Sequence, residues 1–132
     1  MTTKTVALLL MLVVVAAIVL RNRMKSTDVS GAEEQAVIVT LKLSSDAEVQ
    51  QIHALEDKLI AAIKKASAGE FDGDEFGEGT CTLYMYGPSA ERLFDATIET
   101  LREYPAAKGS YLVKRFGKPG AKQERVELGT DK

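Results

Sequence analysis

Two short stretches decide what this chain can fold into. Residues 36–43, AVIVTLKL, and 80–86, TCTLYMY, alternate with period two. A strand with one well-buried face produces that pattern. In the first, Val37, Val39, Leu41 and Leu43 share one face, with Ile38, Thr40 and Lys42 on the other. In the second, Cys81, Leu83 and Met85 oppose Thr82, Tyr84 and Tyr86. Each stretch is followed by a helical period. Val49, Ile52, Leu55, Leu59, Ile63 and Ala66 form one apolar stripe, and Ala90, Leu93, Phe94, Thr97, Ile98, Leu101 and Tyr104 form the other.

The punctuation fits these assignments. Ser45 and Glu48 have the spacing of a capping box, which opens the first helix, and Lys64 and Lys65 suit the negative end of its dipole. Gly69 is placed to close it. Residues 87–89, GPS, break the second alternating strand and start the second helix, with proline in its first turn, and Pro105 ends that helix. Residues 69–76 read as a short, twisted, acidic strand, and Gly77 and Gly79 supply the turn that follows. Residues 109–116, GSYLVKRF, are a further strand, and GKPG at 117–120 turns it back into a polar edge strand. The order is β-α-β-β-α-β-β. Its first six elements match the ferredoxin-like split βαβ pattern. The fold class expected is therefore an α+β, ferredoxin-like βαββαβ sandwich over residues 36–128, with an extra C-terminal edge strand. The acidic strand is expected at one edge of the sheet.

Ahead of this domain, residues 6–20 read VALLLMLVVVAAIVL, without a charge. With the preceding threonines the run reaches about the 17 residues a spanning helix needs. RNRMK follows at 21–25 as a stop-transfer flank, and the nearest small-residue cleavage site, Ser30-Gly31-Ala32, lies well beyond it. Residues 1–25 are read as a single-pass transmembrane anchor, residues 26–35 as a polar linker and residues 129–132 as a disordered tail. Three basic residues follow the run, against Lys4 and the amino terminus before it. The positive-inside rule thus places the C-terminal domain in the cytoplasm of a bacterium, anchored to its inner membrane. A periplasmic or secreted domain after signal cleavage is the alternative.

Past residue 25 the chain holds 13 basic and 19 acidic residues, a balance of −6. Such a surface argues against nucleic acid as a partner. The single Cys81 excludes an internal disulfide.

The segments LEDKLIAAI, GEFDGDE, TLYMYGPSAERLF and the closing GKPG resemble a bacterial family of small ferredoxin-like α+β domains with a GE[FY]DG…LYMYGP signature. The resemblance runs over residues 52–128 and leaves the membrane segment outside it. It implies the fold and no known activity.

Several residues could carry chemistry. Five carboxylates crowd residues 70–78. Asp72 and Asp74 can be aligned with the first ligands of an EF-hand loop, but Phe76 and Leu83 then occupy ligand positions, so no calcium motif is formed. The bland reading is an edge strand kept soluble and unpaired by its charge. His53 lies at the margin of the first apolar stripe and Cys81 faces the helices, as a small buried thiol would. No nucleotide loop, zinc spacing or serine elbow is present, so catalytic residues, metal and cofactor are all expected to be absent.

Glu56 is the exception to the pattern. It falls at about 40° from Ile52 on a helical wheel, inside the apolar arc. A carboxylate there needs a partner or a displaced pKa. A tyrosine, backbone amide or arginine that fixes helix-to-sheet register is one expectation, and a ligand is the other. The second feature is the sheet face opposite the helices, where Ile38, Thr40, Lys42, Thr82, Tyr84, Tyr86, Tyr111, Val113 and Arg115 are expected to lie. Tyrosine and arginine are typical of contact surfaces. The candidate binding residues are accordingly Glu56, Asp72, Asp74, Tyr84, Tyr86 and Arg115. The function expected is a non-enzymatic protein-binding or regulatory module at the membrane, its partner another protein or a second copy of the chain. The alternatives are a small-molecule sensor or enzyme of unrecognised type using Glu56 and the acidic strand, or an immunity-type toxin-binding protein.

Overall fold

The computed structural model describes residues 33–129. The expected membrane segment, most of the linker and the last three residues lie outside the described residues. Among the described residues no helix is long and apolar enough to cross a membrane.

The elements run β1 (Gln35–Lys42), a 3₁₀ turn (Asp46–Glu48), α1 (Val49–Ala66), β2 (Glu70–Gly77), β3 (Thr80–Gly87), α2 (Ala90–Glu103), β4 (Tyr111–Arg115) and β5 (Gln123–Glu127). The five strands form one sheet in the order β2-β3-β1-β4-β5, with every neighbouring pair antiparallel. This is an α+β domain with the element order read from the sequence. The acidic strand β2 takes one edge and the polar β5 the other.

The core lies between the helices and one face of the sheet. Val37, Val39, Leu41, Cys81, Leu83, Met85 and Leu112 point into it from the strands. Ile52, Leu55, Leu59 and Ile63 answer from α1, and Leu93, Ile98 and Leu101 from α2. Of the stripe predicted on α1, Val49 is half-buried and Ala66 is exposed, because they sit in the first and last turns, where the helix leaves the sheet. Thr97 is fully buried on α2, and its hydroxyl donates to the Leu93 carbonyl at 2.7 Å. That bond satisfies a polar group which would otherwise oppose burial.

The helix ends differ in detail from the sequence expectation. The Ser45 side chain makes no capping bond. The Glu48 carboxylate instead accepts from the Ser44 N–H at 3.0 Å, because a 3₁₀ turn occupies the expected first turn and α1 begins at Val49. At the other end Ser67, not Gly69, takes the left-handed conformation, at φ 48°. Its N–H donates to Lys64 and that of Ala68 to Ile63, both at 3.1 Å. This is a Schellman closure, with Ala68 and Ile63 buried beside it. For α2, Ser89 is the N-cap and accepts from the Arg92 N–H at 3.3 Å, so Pro88 precedes the cap rather than entering the first turn. The Gln35 side chain, read as the last linker residue, belongs to β1, and its Oε1 accepts from the Ala90 N–H at 2.8 Å.

Strand β2 positions the site. Uninterrupted alternation would put Phe71, Gly73 and Glu75 on one face and Asp72, Asp74 and Phe76 on the other. A bulge at Asp72 breaks that parity: Phe71 pairs with Met85, Gly73 with Tyr84, Asp74 with Leu83 and Phe76 with Cys81. Phe71, Asp74 and Phe76 therefore share the helix-covered face, while Glu70 and Glu75 turn to the opposite one. Gly73 sits at φ 151°, a conformation that a side chain disfavours. The strand then reverses through Glu78 and Gly79, at φ 52° and 72°, a two-residue turn whose twist matches the flanking strands. Gly77, expected within the turn, is a ladder residue paired with Thr80.

Candidate functional site

Helix α1 packs along β2, and at that seam three titratable side chains converge. His53 and Glu56 are three residues apart and so project from the same side of the helix. Asp74 reaches them from the edge strand. One potential ligand atom from each of the three lies within 4.8 Å of those from the others. His53 Nε2 is 4.0 Å from Asp74 Oδ2. The Phe76 ring meets His53 edge-on, with centroids 6.2 Å apart at 90°.

Glu56 is half-buried, and its Oε1 is the one buried side-chain polar atom among the described residues that has no hydrogen-bond partner. The tyrosine, amide or arginine expected from the sequence does not reach it. Its neighbour is the Asp74 carboxylate, and two carboxylates form a hydrogen bond only when one of them carries a proton. Burial, then that contact and the charge of Asp74, push the Glu56 pKa up to about 7, with His53 opposing and Asp57 adding slightly. Cys81 lies beneath the strand, fully buried. Burial and the charges of Asp74 and Glu56 push its thiol up to about 12, which makes it an inert core residue.

The opposite face of the sheet carries a second group of the predicted residues. The strand registers set them in rows. Glu70, Tyr86, Ala36, Arg115 and Gln123 form one row across the five strands. Tyr84, Ile38, Val113 and Arg125 form the next, and Glu75, Thr82, Thr40, Tyr111 and Glu127 the third. Ala36 is fully buried between Tyr86 and Arg115. The Tyr84 hydroxyl donates to Glu75 Oε2 at 3.0 Å, and this bond raises its pKa. Arg125 stacks 3.6 Å above the Tyr111 ring, and Arg115 Nε donates to the Gly117 carbonyl at 2.8 Å.

The structure thus divides the candidates between two faces. Tyr84, Tyr86 and Arg115 share the open face, and Glu56 and Asp74 meet on the helix side. Asp72 stands exposed in the bulge, apart from both. Lys114, which alternation sets on the face opposite Arg115, is buried on the helix side. It pairs with Glu91 at 2.8 Å and Glu124 at 3.0 Å and lies 4.8 Å from the Phe94 centroid. His53 is the member of the helix-side cluster that sequence reasoning did not connect to the acidic strand. The signal is its i, i+3 spacing to Glu56, but the parity of Asp74 depends on the bulge.

A depression of about 260 Å³ lies between the helices, lined by Leu55, Tyr104 and Pro105 among others, away from the titratable cluster. A second, of about 450 Å³, runs along Leu43, Val49 and Phe76 and so reaches the ring that packs on His53. Comparison of the chain with known protein families, curated proteins and solved structures finds no match.

Proposed function

We propose that this chain is a membrane-anchored, non-enzymatic binding module, a ferredoxin-like domain that docks a protein on its open sheet face. One observation carries the reading. Both helices cover the same face of the sheet, and no described element covers the other, which presents Ile38, Tyr84, Tyr86, Tyr111 and Val113 half-buried in side-by-side rows. Three tyrosines on a fixed sheet supply apolar area with little rotamer entropy to lose, and two arginines beside them supply charged hydrogen-bond donors.

The charge layout favours a second copy of the chain as the occupant. Glu70 and Glu75 flank the tyrosines on the β2 side, and Arg115 and Arg125 flank them on the β4–β5 side. Two such faces related by a twofold axis set carboxylates against guanidiniums at both ends. The Arg125–Glu127 pair at 2.5 Å offsets part of this polarity. Tethering by the apolar segment at residues 6–20 would raise the local concentration enough for a weak face-to-face contact to form. The basic flank at residues 21–25 supports a cytoplasmic domain on a bacterial inner membrane.

Sedimentation velocity of the full-length protein in detergent, over a range of concentration and salt, tests the reading. A dimer that weakens with salt and is lost in the Tyr84→Ala/Tyr86→Ala variant supports it. A monomer under all conditions removes the second copy, and a heteromeric partner that cross-links in membranes through the same tyrosines takes its place. The sensor reading draws on a different observation, the cluster around Glu56.

A further inference from the structure

We propose that His53, Glu56 and Asp74 form a binding site for a first-row divalent metal ion of the zinc type, which clasps α1 to the edge strand β2. The inference is independent of the open face and of what docks there.

The donor set is one imidazole nitrogen and two carboxylates, drawn from two elements. That mixture suits zinc and its neighbours, whereas magnesium and calcium take oxygen donors alone. Three protein donors are also the number found where a zinc ion keeps a fourth position for water. Two observations point to a cation rather than a solvated acidic patch. The buried Glu56 Oε1 has no donor, although every other buried side-chain polar atom among the described residues is satisfied. The carboxylates face each other, and His53 Nε2, 4.0 Å from Asp74 Oδ2, is the basic atom nearest that carboxylate among the contacts of the described residues. A dication satisfies all three groups together, which one proton does not.

The geometry requires a small closure. Donors bound to zinc at about 2.0–2.2 Å stand about 3.3–3.6 Å apart in a tetrahedral site. Here they lie within 4.8 Å, with the His53–Asp74 pair at 4.0 Å. His53 and Asp74 are more exposed than the half-buried Glu56, which leaves them the room to close in on it. The Phe76 ring packs edge-on against the imidazole at the mouth of the cluster. Gly73, next to Asp74, has open space beside it, so no neighbouring atom blocks a small shift of that carboxylate's backbone.

His53 is the sole histidine of the chain, so its ring resonances report the site without ambiguity. The full-length protein, freed of its affinity tag and stripped with chelator, is titrated with zinc chloride by calorimetry and by NMR of the His53 ring. The expected result is one ion per chain, a shift of the His53 resonances, and binding at least tenfold weaker in Asp74→Asn and in His53→Gln. The Glu70→Gln/Asp72→Asn variant keeps its affinity within about twofold, because those carboxylates lie outside the cluster. Thermal melts of each variant without metal establish that it is folded. Magnesium and calcium leave the ring resonances unmoved. Zinc binding that leaves His53 unshifted, or that weakens equally in the Glu70/Asp72 variant, would overturn the site and reduce the cluster to a proton shared between two acids.

Discussion

At the scale of single residues, Glu56 links a pattern in the sequence to a measurable property. Its place within the apolar arc of α1 was legible from spacing alone, because helix geometry fixes which side chains face the sheet. Its partner was not, since that depends on which way a distant strand turns its side chains. In the unfolded chain this carboxyl titrates near 4.5, and in the folded protein at about 7. The native state therefore binds the proton more tightly. This contribution to stability is complete below pH 4.5 and is lost as pH rises through 7. The loss is expected to be about 1–3 kcal/mol, given that the group is only half-buried. Glu56→Gln keeps a donor toward Asp74 at every pH. Denaturant melts in the absence of metal should then show the variant more stable than the parent at pH 8, with the slope between pH 4.5 and 7 flattened; an unchanged slope would show that Glu56 is not the titrating group. Lys114 makes the complementary case. Alternation on β4 gave its face correctly, yet a lysine reads as surface until Glu91, Glu124 and Phe94 are seen around it. Lys114→Ala removes those contacts and a buried aliphatic stem, and should cost about 1–3 kcal/mol in urea melts.

At the scale of elements, the strands and helices followed from period and punctuation, and the discrepancies cluster at their ends and in β2. Ends are decided by backbone hydrogen bonds that several neighbouring residues can make equally well, and so Ser67 closes α1 although Gly69 is two residues away. A serine held at φ 48° carries a conformational cost that glycine does not. Ser67→Gly should raise stability by about 0.5–1 kcal/mol, read as a higher denaturation midpoint with an unchanged slope. The bulge in β2 was not legible, because one extra residue leaves no mark in composition and reverses the side assignment of everything after it. Gly73 is what makes it possible. Gly73→Val should destabilise the domain by about 1–3 kcal/mol, and should also disturb the His53 ring resonances by displacing Asp74. Loss of stability with an undisturbed ring would show that the bulge does not set the position of Asp74.

At the scale of the whole molecule, the domain presents two unlike surfaces. One is sealed by helices except at the seam with β2, and the other is an open field of tyrosines. The apolar segment at residues 6–20 would then fix where these surfaces work. A C-terminal alkaline phosphatase fusion should be inactive in a bacterial host and a C-terminal fluorescent fusion bright and membrane-bound; an active phosphatase would reverse the orientation. The two surfaces meet in one strand. Asp74 and Glu75 are consecutive, yet the first looks toward α1 and the second holds the Tyr84 hydroxyl on the far side of the sheet. The chain has no tryptophan, so its ultraviolet emission comes from four tyrosines, and a carboxylate bonded to a phenol quenches that phenol's light. If closure of the seam shifts Asp74 enough to carry the adjoining Glu75 with it, the Tyr84 share of that emission should change, a readout on the opposite side of the sheet that needs no dye.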